Sequence, residues 1–166
     1  MNKVAIVCIA CGFNDHTCSG QPGICFTDEQ RNLQAYYIAG ELVAAGDNVT
    51  IYVTGNIPYS KKNPVNLAEL KTNWLTALIK QAGSNLALAK VSIKIGEGVG
   101  TFSEARLLTA ELSGKRFDRV LVVSSPWYFW SGGPIWIRRA KEKNLAVEFV
   151  SVPDLAGWKT KFTYLC

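Results

Sequence analysis

The sequence predicts an α/β fold: a single doubly wound, mainly parallel sheet of about five strands with helices on both faces. Lys3–Ala10 and Arg119–Ser124 are apolar runs of strand length, as expected of central parallel strands buried on both faces. Strand-like and helix-like segments alternate along the whole chain, which is the order that crossovers between parallel strands produce. The chain of 166 residues has no low-complexity linker, so residues 1–166 are expected to form one domain.

Three further strands complete the predicted sheet. Asn48–Thr54 is rich in β-branched residues, and Lys90–Ile95 alternates polar and apolar side chains. Ala146–Val152 is the last expected strand.

Four helices are expected between these strands. Gly46 and Gly83 follow the first two and would stop them, and Pro134 suits the first position of the last. The helices are predicted over Asp28–Ala45, Val65–Ala82, Thr101–Leu112 and Pro134–Lys143. In the second, the face expected to pack on the sheet consists of Leu67, Leu70, Trp74, Leu78 and Ile79.

Composition excludes several classes of protein. Hydrophobic residues make up 48% of the chain, too many for a disordered one, and no apolar stretch is long enough for a bilayer span, so no membrane association is expected. The net charge of +5 comes from scattered basic residues, so we expect no nucleic-acid partner. Five cysteines without a convincing signal peptide favour reduced thiols and a cytoplasmic location.

The first four cysteines have the spacing C-x2-C-x6-C-x6-C, and His16 lies among them. Thiolates and imidazole are zinc ligands, so a metal site is one interpretation. Cys8, however, falls inside the first predicted strand, where residues three apart face opposite sides. Buried cysteine is therefore favoured, and no metal site is predicted.

In open parallel sheets, ligands bind outside the carboxyl ends of the strands, where the strand order reverses. The loops that follow strands are therefore the candidate sites. They are Cys11–Thr27, Gly55–Asn63, Gly96–Gly100 and Ser125–Gly133.

The first of these loops is long for a compact domain, and such loops are often functional. It carries Asn14 and Asp15 and leads into Asp28, Glu29 and Arg31 of the first helix. Asp28 also has a structural explanation, because carboxylates near a helix N-terminus cap it and interact favourably with its dipole. The guanidinium of Arg31 suits a phosphate or carboxylate.

A glycine-rich turn, Gly96–Gly100, precedes the third helix, where backbone N–H groups can meet an anion. A tight turn alone also requires glycine. Thr101 and Glu104 have the spacing of a capping box.

Four consecutive aromatic residues, Trp127–Trp130, follow the strand that ends at Ser124 and Ser125. In a loop over residues 126–130, a ring can stack on a planar ligand while the serine hydroxyls meet its oxygens. The alternatives are a hydrophobic plug and a contact between copies of the chain.

Five short segments of the chain match a known pattern: Ala10–Gly12, Glu29-x-Arg31 with Ala35, Val53–Asn56, Thr101–Ala105 and Val122–Ser125. In these segments the chain resembles the SanA/YdcF-like family, a Rossmann-like group whose function is mostly undefined. Tyr128 and Ser131 stand where that family has a histidine and an arginine, and Glu104 replaces the asparagine of its Thr-x-Glu-Asn motif. The resemblance implies an adenosyl or nucleotide-like ligand, with S-adenosylmethionine favoured.

The leading hypothesis is a small-molecule enzyme, a transferase or hydrolase, or a binder of such a ligand. Substitution Arg31→Ala is expected to abolish binding and leave the melting temperature nearly unchanged. The alternatives are a non-catalytic assembly module that uses the aromatic loop and a cysteine-rich metal protein. The expected ligand-binding residues are Gly12, Asn14, Arg31, Gly55, Asn56, Gly98, Thr101, Ser103, Ser124, Ser125 and Trp127. The candidate acids and bases are Asp15, Asp28, Glu29, Glu104 and Tyr128.

Overall fold

A computed structural model of the chain describes residues 1–10, 26–56, 66–81 and 91–152. Its five strands form one sheet in the order β3-β2-β1-β4-β5, and every neighbouring pair is parallel. The strands are β1 Lys3–Cys8, β2 Asn48–Val53, β3 Ser92–Ile95, β4 Arg119–Ser124 and β5 Val147–Ser151. The predicted α/β fold with a parallel, doubly wound, Rossmann-like sheet is confirmed.

The helices agree with the predicted ones within a few residues, with one exception. The segment expected to be an aromatic loop is a short helix, so that prediction was wrong. Pro126 at its start has the fixed φ that suits a first helical turn. The helices are α1 Phe26–Ala44, α2 Leu67–Gln81, α3 Thr101–Gly114, α4 Pro126–Ser131 and α5 Gly133–Glu142.

The core has two halves, one on each face of the sheet. Successive residues of β1 alternate between them, and Val4–Cys8 are fully buried, as the apolar run predicted. Ala39 of α1 and Leu75 of α2 pack on one face, and Leu108 of α3 and Trp136 of α5 pack on the other. Helices therefore cover both faces of the sheet.

The buried face of α2 differs from the predicted one. Leu67, Ala68, Lys71 and Leu75 are buried, whereas Trp74 is only partly buried. The small Ala68 permits close approach to the sheet, and the buried Lys71 faces an acidic partner on α1. A charged side chain thus occupies a position where the periodicity predicts only apolar ones.

The strand order reverses at β1. From β1 the chain proceeds outward to β2 and β3, and then crosses through α3 to β4 on the other side of β1. β1 and β4 are therefore neighbours, and the chain continues from them into helices on opposite faces of the sheet. We call Ile9 and Ala10, which follow β1, together with Ser124 and Ser125 at the end of β4, the switch-point edge. None of the helices within the described ranges is long and apolar enough to cross a membrane.

Candidate functional site

Arg31 lies across the switch-point edge. This residue belongs to the second turn of α1 and is 4% exposed. Nη1 donates a hydrogen bond to the carbonyl of Ile9 at 3.0 Å, and Nη2 donates one to Oγ of Ser125 at 3.0 Å. A single guanidinium thereby joins the end of β1 to the end of β4.

Asp28 lies one turn before Arg31 and contacts two cations. Its Oδ1 is 3.4 Å from Nζ of Lys71 and 3.9 Å from Nη1 of Arg31. Lys71 also donates to the carbonyl of Thr54 at 3.5 Å. Because all these charges are buried, the loss of Asp28 would remove the carboxylate that faces both cations.

Glu104 on α3 is a second buried carboxyl group at this end of the sheet. We call Asp28, Arg31, Lys71 and Glu104, with the residues that contact them, the cluster. Burial raises its pKa above the ordinary value, while the charge of Lys71 and hydrogen bonds from the Gly55 backbone and the Thr54 side chain act in the opposite direction. Oγ1 of Thr54 also accepts a hydrogen bond from the backbone N–H of Ala10 at 2.8 Å. Thr54 therefore connects the switch-point edge to Glu104.

The capping box predicted for α3 is not formed. The N-cap is Gly100, Thr101 is the first helical residue, and Glu104 is directed into the protein. Oγ of Ser103 accepts a hydrogen bond from the backbone N–H of Val99 at 2.7 Å. The Ser103 hydroxyl and the Val99 N–H therefore bond to each other within the turn.

The glycine turn has a structural explanation at Gly98. Its φ is 112°, and a Cβ there would lie 2.7 Å from the backbone nitrogen of Glu104. The turn packs against the first turn of α3 and so positions the Glu104 backbone.

Tyr128 on α4 faces the same cluster. Its hydroxyl accepts a hydrogen bond from Nε1 of Trp136 at 3.0 Å and is also bonded to the Thr101 side chain. Burial raises the pKa of Tyr128 above its ordinary value, and the charges of Glu104 and Arg31 both act on the phenol.

The four aromatic residues of α4 point in different directions. Phe129 packs on Phe149 with ring centroids 4.9 Å apart. Trp127 is 42% exposed and Trp130 is 83% exposed. Trp127 and Trp130 are therefore the exposed aromatic residues of α4, whereas Tyr128 and Phe129 contact other residues of the protein.

Three buried polar atoms near the ends of β1 and β4 have no hydrogen-bond partner in the part of the chain that the structure describes. They are Nε of Arg31, Nδ2 of Asn32 and Oγ of Ser124. Asn32 uses its Oδ1 to accept a hydrogen bond from the Cys8 thiol at 2.9 Å.

Cys8 behaves as the buried cysteine that the sequence favoured. Burial raises its thiol pKa to about 11. Within the described ranges, no group of three His, Cys, Asp or Glu residues is placed to hold a metal ion. Cys11, Cys18, Cys25 and His16 lie outside those ranges.

Most of the predicted site residues after β2 and β4 meet at one end of the sheet. Asn56 is exposed and bonds to Asn66 at 2.6 Å, and Glu29 is half-buried in the first turn of α1. Gly12, Asn14 and Asp15 lie outside the described residues. The predicted residues that the structure brings into the cluster are Asp28, Arg31, Gly55, Thr101, Glu104, Ser124, Ser125 and Tyr128.

Sequence reasoning missed Lys71, Asn32 and Thr54. Lys71 carried a usable signal, because it stands four residues after Leu67 and four before Leu75 on one face of a helix. A cation in an apolar stripe requires a buried partner. Asn32 and Thr54 have no comparable signal in the sequence.

The arrangement offers two chemical functions at one edge: a cation that spans two strand ends, and a buried carboxyl group with a raised pKa. The first suits an anionic group and the second suits proton transfer. No protein-family model, curated protein or solved structure matches the chain.

Proposed function

We propose that this protein binds a small molecule with an adenosyl or nucleotide-like part, with S-adenosylmethionine favoured, at the switch-point edge. The observation that carries the proposal is the bridge that Arg31 makes between Ile9 and Ser125, with its own Nε left without a partner among the described residues. The resemblance to the SanA/YdcF-like family points to the same class of ligand. We further propose a cytoplasmic location, in which the cysteines stay reduced.

The topology supports this location for a ligand. Open parallel sheets bind ligands where the strand order reverses, and β1 and β4 diverge at that point here. A buried polar atom without a partner costs about 1–3 kcal/mol, so a ligand that satisfies one offsets that cost.

The buried groups also support an enzyme, of the transferase or hydrolase type. Glu104 is the preferred general acid or base, since burial moves its pKa toward neutrality. Asp28 is already engaged with Lys71 and Arg31. Tyr128 is bonded to Trp136 and Thr101, so we assign it a positioning role beside Glu104.

Isothermal titration calorimetry with S-adenosylmethionine, S-adenosylhomocysteine, AMP and ATP tests the proposal. We expect at least one of them to bind at one site per chain. If the planar part stacks on Trp127, Trp127→Ala should weaken binding by about tenfold, given about 1–3 kcal/mol per stacked base. Trp130→Ala, on the exposed side of the same helix, is the matched control and should bind normally. Absence of binding by all four compounds would refute the proposal.

A second candidate function is assembly with another copy of the chain through α4. The observation that favours it is the exposure of two large aromatic residues, Trp130 on α4 at 83% and Phe102 on α3 at 57%. Aromatic residues are enriched in protein interfaces. Light scattering should show an oligomer that the double substitution Trp127→Ala and Trp130→Ala converts to monomer. A wild-type monomer at high concentration would exclude this function.

A further inference from the structure

Two buried donors on α1 have no hydrogen-bond partner among the residues that the structure describes. Nε of Arg31 and Nδ2 of Asn32 carry only N–H groups, and both side chains are more than nine-tenths buried. A donor is satisfied only by an acceptor, which in a ligand means an oxygen or a nitrogen lone pair. These two donors therefore suit a ligand group that carries hydrogen-bond acceptors.

The guanidinium of Arg31 presents these donors in a fixed geometry. Nε and Nη2 share one edge of its plane, with parallel N–H bonds that match two oxygens of a carboxylate or phosphate. Nη2 bonds to the Ser125 hydroxyl, which can rotate and donate its own proton to an incoming oxygen. Nη1, on the other edge, is held by the carbonyl of Ile9.

The charges in the cluster also favour an anionic ligand group. Oδ1 of Asp28 lies near both Lys71 and Arg31, so one carboxylate faces two cations. Because Asp28 is shared by two cations and its Oδ1 lies 3.9 Å from Nη1 of Arg31, the guanidinium retains positive charge that attracts an anion.

We propose that the Nε edge of Arg31, assisted by the hydroxyl of Ser125, receives an anionic oxygen group of the ligand, either a carboxylate or a phosphate. This inference rests on the proposed function for the presence of a ligand at the switch-point edge. It adds which part of the ligand is recognised and by which atoms.

The test is thermal unfolding at constant ionic strength, with chloride replaced stepwise by inorganic phosphate or by acetate. An anion that binds the folded protein raises the melting temperature in a saturable way. We expect such a rise in the wild type and its loss in Arg31→Lys, which keeps the charge but lacks the two parallel N–H groups. Arg138→Lys on the exposed side of α5 is the matched control and should retain the rise.

A second measurement does not depend on the stability of a variant. In 15N-labelled wild-type protein, the Nε–H signal of Arg31 should shift with saturation as phosphate or acetate is added. A saturable effect of phosphate alone identifies a phosphate group, and one of acetate alone identifies a carboxylate.

The outcomes separate this inference from the proposed function. No saturable effect of either anion overturns the inference, even if adenosine compounds bind. An equal effect in wild type and Arg31→Lys also overturns it. A saturable effect that requires Arg31, without binding of any adenosyl compound or nucleotide, supports the inference and refutes the proposed ligand.

Discussion

The guanidinium of Arg31 on α1 donates a 3.0 Å hydrogen bond to the hydroxyl of Ser125, the residue that follows β4. The bond crosses the place where the strand order of the sheet reverses. Arg31 is held at the same time by the carbonyl of Ile9. The side chain proposed to bind the ligand is thus fixed before any ligand arrives, which reduces the entropic cost of binding.

Substitution Arg31→Ala should lower the free energy of unfolding by about 2–4 kcal/mol, because it removes the donor to the buried carbonyl of Ile9 and to the Ser125 hydroxyl, and one of the two cations beside Asp28. This differs from the unchanged melting temperature expected from the sequence, and the reason is that Arg31 is buried. Urea denaturation measures the change. Arg138→Ala, at an exposed position, should stay within about 0.5 kcal/mol, and an equally small change for Arg31→Ala would contradict the account.

Substitution Lys71→Met should destabilise the folded protein, although the two side chains are similar in volume. It removes a cation from the buried carboxylate of Asp28, a loss that costs about 3–5 kcal/mol in comparable cases. Chemical denaturation of Lys71→Met and of Lys80→Met, which changes an exposed lysine of the same helix, provides the comparison. Equal stability of the two variants would show that the Asp28–Lys71 contact is energetically unimportant.

Glu104→Gln should alter how stability depends on pH. Burial raises the pKa of Glu104 in the folded protein above its ordinary value of 4.5, so the folded state holds that proton more tightly than the unfolded state. Its contribution to stability is complete below that ordinary value and is lost as the pH rises through the folded pKa. Relative to wild type, the variant should therefore gain stability as the pH increases above 4.5. Urea curves at a series of pH values measure the difference, and a shift in the opposite direction would mean that the carboxylate is the favoured form.

Gly98→Ala should destabilise the protein more than Gly100→Ala. Both glycines have positive φ, at 112° and 80°, so both substitutions carry a backbone cost of about 1 kcal/mol or more. A Cβ at Gly98 would also lie 2.7 Å from the Glu104 nitrogen, whereas no described atom lies within 4 Å of one at Gly100. Thermal unfolding of the two variants isolates that crowding, and equal melting temperatures would show that the turn can move away from α3.

The elements of the fold were predictable because their signals are local. The apolar runs at β1 and β4 and the stop at Gly46 depend only on neighbouring residues. The order β3-β2-β1-β4-β5 did not follow from them, since periodicity does not specify which strands pair. The helix α4 was missed because four aromatic residues in a row have no helical periodicity.

The candidate site was predictable only in part, for a related reason. Arg31, Ser124 and Ser125 could be proposed from their positions at strand ends and helix starts. The inward direction of Glu104 depends on contacts with Thr54 and Gly55, which are distant in the sequence, so its spacing from Thr101 suggested a cap instead.

Native mass spectrometry of freshly purified protein tests the central claim most directly. We predict a mass above that of the chain, with the excess released on denaturation as an adenosyl compound or nucleotide. For protein purified without a ligand, we predict a one-to-one complex on addition of S-adenosylmethionine. The bare mass of the chain, unchanged by added S-adenosylmethionine or nucleotides, would contradict it.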